Sequence, residues 1–159
     1  MREIMISGSY WLHSIATVVW LGGITFILFI LIPSAKQVLD VEAGKLMGDI
    51  SKRFTPIANY SIILLIVTGV VLTAVNRRFS EISNFGNNWS LGLIVKHVLV
   101  LGMVVVHFYR GLVLAPRIAR AEPTSEKASL QKLSLHLVKL NFCLGLIVLL
   151  FSGIISILK

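Results

Sequence analysis

The sequence predicts an all-α integral membrane protein: a four-helix transmembrane bundle, with residues 1–159 making one four-span domain. Composition and patterning predict it. Hydrophobic residues make up 56% of the chain and charged residues 14%, against about 25% charged in a typical soluble domain. The apolar residues are also gathered into four blocks. Each block is long enough to cross about 30 Å of hydrocarbon at about 1.5 Å per residue.

The first span reads about 10–33 and ends at Pro33. The second runs about 57–75, from just after Pro56 to the stop at Asn76-Arg77-Arg78. The third covers about 91–115, before Pro116, and the fourth about 134–158. Proline near each boundary fits its missing N–H and fixed φ. Between the first two spans, Lys36 to Met47 has helically spaced apolar residues. It reads as a short interfacial helix or as an extension of the first span. Phe79 to Trp89, rich in Ser, Asn and Gly, reads as an irregular loop, and Ala121 to Lys132 as a polar connector. Arg2 precedes an apolar run that outlasts a signal-peptide core and lacks a small-residue cleavage site, so the first helix is expected to be retained.

The net charge of +8 is not a nucleic-acid signature, because the basic residues sit in connections and at helix ends. Lys36, Lys45, Lys52, Arg53, Arg117, Arg120, Lys127 and Lys132 belong to the first and third loops. The other side holds only Arg2, Arg77, Arg78 and Lys159, with Lys96 nearby. Their distribution predicts a multi-pass protein of the cell's inner membrane, with both termini outside and these loops in the cytoplasm. The single cysteine, Cys143, precludes an intrachain disulfide.

Ionisable side chains within spans are costly and mark function. All four histidines, His13, His97, His107 and His136, fall in spans, as do Lys96, Arg110 and Lys139. From the rise per residue, His13 lies about 12 Å and His97 about 9 Å to the outer side of the midplane. By the same measure His107 lies about 6 Å and His136 about 15 Å to the inner side. Matched depth makes His13 and His97 a plausible facing pair, and His107 with His136 a looser one. Facing imidazoles suit a haem iron, and Lys96, Arg110 and Lys139 would neutralise propionates. His136, Lys139 and Cys143 fall on one stripe. Gly22, Gly23 and Thr25 leave room for a flat macrocycle or another helix. Trp11, Trp20 and Trp89 fit an aromatic belt or packing.

The run His13-Ser14-Ile15-Ala16-Thr17-Val18-Val19-Trp20-Leu21-Gly22-Gly23 resembles the first-helix pattern shared by the CopD-like copper-resistance membrane domain and the HemJ-type protoporphyrinogen oxidase. Arg53-Phe54 through Ala58 to Thr68-Gly69, and Lys96 through Arg110 to Pro116, are also similar to CopD. The resemblance implies a four-helix unit handling copper or haem b, with His13 and Lys96 at the most telling family positions. Where relatives often carry an acidic residue in the last helix, this chain has Asn141.

These observations give three function classes and an enzymatic variant, the third class being a purely structural membrane subunit. The first is a membrane b-type cytochrome holding one or two haems b, a cofactor-binding electron-transfer protein rather than a stand-alone enzyme. His13 and His97 would ligate an outer haem, and His107 and His136 an inner one. Its partners would be the lipid bilayer and a redox partner, a larger membrane complex or a second copy of the chain. The alternative is a copper permease of the CopD type, although only Met103 and Cys143 supply soft ligands within the expected spans. A HemJ-like porphyrinogen oxidase is the variant.

Overall fold

The computed structural model describes residues 1–76, 78–82, 87–123 and 125–157. Arg77 and Lys159, used above for orientation, and Leu158, the expected end of the last span, lie outside them. Among the described residues there are four long helices and no strand. They are α1 (Arg2–Leu39), α2 (Ala43–Ala74), α3 (Asn88–Arg120) and α4 (Ser125–Ile157), each long and apolar enough to cross a membrane. Two compact units divide the chain, Met1–Phe79 and Ser80–Lys159. Each is an antiparallel helical hairpin.

The helices outrun the spans read from sequence. With 38, 32, 33 and 33 residues, each is about 48–57 Å long and overhangs the hydrocarbon by several turns. Lys36 to Met47 is largely an extension of its neighbours: α1 continues to Leu39, and a single 3-10 turn, Asp40–Glu42, leads into α2. The chain reverses at Asp40, whose φ of 42° takes it out of the helical region; aspartate tolerates this better than most residues. The expected connector Ala121 to Lys132 is mostly helix, since α4 already begins at Ser125 with Glu126 in its first turn, favourable to the helix dipole. In the expected loop, Phe79–Glu81 forms a 3-10 turn, and Asn87 caps α3 by accepting from the Trp89 N–H at 3.0 Å. The loop's remaining residues, 83–86, lie outside the described part.

The prolines do not end helices as their sequence positions suggested. Pro56 lies inside α2, and α1 and α3 run on through Pro33 and Pro116. Directly ahead of these two, residues Ile27–Leu31 and Tyr109–Leu114 widen into π-helix. Widening relieves the clash between a proline ring and the preceding turn and re-satisfies freed carbonyls. A break would strand polar backbone in hydrocarbon, so the helix deforms instead.

Each helix turns one stripe inward, with buried or half-buried residues alternating at three and four. On α1 this is Ser9, His13, Ala16, Trp20, Gly23 and Ile27; on α2 it is Ser51, Phe54, Ala58, Ser61, Leu65 and Thr68. On α3 it runs Trp89, Leu93, Lys96, Val100, Met103, His107, Arg110 and Leu114, and on α4 Val138, Asn141, Gly145, Val148, Ser152 and Ile155. This is the spacing of shallow-angle helix packing. The outward faces carry exposed Val18, Phe29, Val70, Val98, Leu112 and Leu150, an aggregation hazard in water and the natural surface against lipid. Trp20 and Trp89 are buried in packing, whereas Trp11 is 65% exposed as a belt residue would be.

In the first hairpin the glycine pair is resolved by contact. Gly23 faces α2, and the ring of Phe54 occupies the space that a Cβ there would need, while a Cβ at Gly22 would point into open space. Gly23 is therefore a helix-packing residue, and Ala58, 0% exposed, continues the close approach. Replacing Gly23 with Leu should destabilise the detergent-solubilised protein by about 1–3 kcal/mol through overpacking. Adding Phe54→Ala to that variant should recover part of the loss, as read by the thermal midpoint.

Candidate functional site

Polar side chains in the helices are satisfied from within. Thr17, Thr25, Ser61 and Ser152 each donate to the carbonyl four residues back, at 2.8–3.0 Å, the usual arrangement where water is absent. Thr68 does the same, donating to the Leu64 carbonyl at 2.6 Å. Its oxygen also lies 2.7 Å from His13 Nδ1. A hydroxyl has one proton to give. With that proton on Leu64, Thr68 accepts from His13, so Nδ1 carries the hydrogen. The neutral ring then has its lone pair on Nε2, the arrangement in which an outer partner orients a metal-binding histidine.

The first hairpin builds this pair with little slack. Thr68 is 4% exposed, and at Gly69 a Cβ would sit 3.7 Å from His13 Cε1, so the imidazole lies against the α2 backbone. The motif residues of the two helices thus meet twice, His13 against Thr68-Gly69 and Gly23 against Phe54. Sequence reading quoted Thr68 only as part of a pattern. Its role as the partner of His13 becomes visible only when the helices pair.

In the second hairpin the candidates separate by face. Lys96, His107 and Arg110 lie on the inward stripe of α3, with His107 5% exposed and edge-on to Phe108. His97, one position after Lys96, is on the exposed surface, and its Nδ1 donates to the Leu93 carbonyl at 2.7 Å. His136, Lys139 and Cys143 do form a stripe, but an exposed one, turned to lipid or to a partner. His136 Nδ1 bonds the Lys132 carbonyl at 2.8 Å. The looser pair of the sequence reading is therefore one buried and one exposed histidine. Two residues outside the expected ligand set, Met103 and Asn141, are each 4% exposed. Their signal was the spacing of Met103 one turn before His107. Among the described residues, no three His, Cys, Asp or Glu side chains gather closely enough to hold a metal ion.

Four helices long and apolar enough to cross a membrane define a multi-pass membrane protein, with His13 and His107 on their inward stripes. The family model of Copper resistance protein D, CopD, matches residues 48–155, about two thirds of the chain, and the chain belongs to this family. No curated protein and no solved structure matches it. The matched stretch includes His97, His107, His136, Lys96, Arg110 and Lys139 and begins after His13.

The tautomer at His13 gives a direct check. In protein labelled with nitrogen-15 histidine, the His13 Nδ1 should show the shift and coupling of a protonated nitrogen and Nε2 those of an unprotonated one. Thr68→Val should abolish this fixed assignment, while a ring that samples both tautomers in the native protein would contradict it.

Proposed function

We propose that this chain carries copper ions within and across the membrane, with histidine nitrogens as ligands and His13 Nε2 the first of them. The family match is the observation that carries the reading; the His13–Thr68 hydrogen bond supplies its chemistry. Imidazole is a suitable ligand for copper. A ring held by an outer hydrogen bond needs no reorientation when the ion arrives. Copper here is the cargo. The chain's own contribution is to present a lone pair inside the hydrocarbon, where an ion otherwise meets none.

The orientation that accompanies this reading has both termini outside and the two hairpin turns in the cytoplasm, because those turns and the adjoining helix ends hold most Lys and Arg. A periplasmically active reporter fused after residue 159 should be active, and a cytoplasmic one inactive.

The copper reading is tested by Cu(I) titration of the detergent-purified chain against a competing chelator. The native protein should bind; His13→Ala should lose a site. Thr68→Val, nearly the same shape without the hydroxyl, should weaken that site by about ten- to a hundredfold, the usual effect of removing a ligand's outer partner.

A haem iron is the second reading, favoured by Lys96 and Arg110 on the inward stripe of α3, where cations would meet propionates. The oxidised and dithionite-reduced visible spectra decide between the two. A sharp reduced α-band that disappears in His13→Ala would put haem ahead of copper, and a colourless protein that binds Cu(I) would retire it.

A further inference from the structure

Asn141 is a polar group whose environment suits a ligand. It is 4% exposed on α4, and among the described residues its buried Oδ1 has no hydrogen-bond partner. An unmade bond to a buried acceptor is costly, most of all in a hydrocarbon setting. Within the same hairpin, Gly92 of α3 packs against Ile155 of α4, where a Cβ would meet Ile155 Cγ1 at 3.1 Å. The helices are antiparallel neighbours. Moving about four turns onward from Gly92 and the same distance back from Ile155 brings His107 level with Asn141, and about three turns brings Met103 level with Gly145.

Met103 and His107 stand one turn apart on the same inward stripe and are 4% and 5% exposed. Two ligands at this spacing on a helix face can share one metal ion, as paired histidines do in zinc proteases. We propose that the Met103 thioether, the His107 imidazole and the Asn141 amide oxygen form a Cu(I) site inside the second hairpin, a further station for the transported ion.

The donor set selects the ion. A thioether is a soft ligand that favours Cu(I), whereas magnesium and calcium require shells built of oxygen. None of the three donors carries a negative charge, and Arg110 lies one turn beyond His107 on the same stripe. Both features loosen the hold on a cation. A station on a transport path must release what it binds, so a weak site is the useful kind here.

The site rests on the copper reading, and one experiment separates the two. The full chain carrying Cys143→Ser is purified in detergent, loaded with Cu(I) under ascorbate and examined by X-ray absorption. Copper should show a sulfur shell that Met103→Leu removes, with lower Cu(I) stoichiometry, and that His13→Ala leaves in place. Leucine conserves the volume of methionine, and an unchanged thermal midpoint verifies folding. Selenomethionine labelling provides a readout that needs no Met103 variant, since the shell should become copper–selenium. Bound copper with only nitrogen and oxygen neighbours, or a sulfur shell that survives Met103→Leu, would overturn the site and leave the copper reading standing. A chain that binds no Cu(I) at all would overturn both.

Discussion

The absence of water in the hydrocarbon is the constraint on which the rest of the structure depends. A polar group there must find its partner in the protein or go without. The backbone answers by staying helical, even through Pro33 and Pro116, where it widens into π-turns rather than breaking. Serine and threonine answer by bonding the preceding turn, as Thr17, Ser61 and Ser152 do. Apolar surface has no need to hide, so Val70, Leu112 and Leu150 remain exposed while glycine and alanine are drawn to the contacts. The usual ordering of a soluble core is partly inverted: small and polar residues pack beside Trp20, Ile62 and Leu114, while many large aliphatic ones face outward.

That inversion links packing to chemistry. Thr68 is both a helix-packing residue and the hydrogen-bond partner of His13 Nδ1, its hydroxyl also bonding the Leu64 carbonyl. His13 in turn lies against Gly69, whose missing side chain makes room for the ring. Removing any one of these would disturb both the hairpin and the presentation of the imidazole. A buried Asn141 in the other hairpin follows the opposite logic: its acceptor has no hydrogen-bond partner among the described residues, a costly state in hydrocarbon.

Membership of the CopD family shifts the weight among the functions that the residues allow. Four histidines in three of the four apolar spans suit haem as well as copper, and the scarcity of sulfur within the spans read from sequence argued for haem. In the proposed reading, placement adds to that shift. Met103 is fully inside its hairpin, on the same stripe as His107, whereas Cys143 is exposed. One well-placed thioether matters more to a metal ion than the count of sulfur atoms.

The sequence by itself determined the class, the number of spans and the candidate residues, because hydropathy in blocks of about twenty residues depends only on composition along the chain. It also held the inward stripes in its three-and-four spacing, although His136, Lys139 and Cys143 show the same spacing on a stripe that faces outward. Helix ends were misplaced because proline and polar residues stop helices in water, while near a bilayer the need to keep backbone bonds carries the helix past them. Only the tertiary structure decided which face of each helix turns inward, since that choice depends on the neighbour against which it packs. It alone brought Thr68 to His13, laid Phe54 on Gly23 and enclosed Asn141. Each of these joins residues from different helices, and a pattern along one helix carries no record of its partner's register.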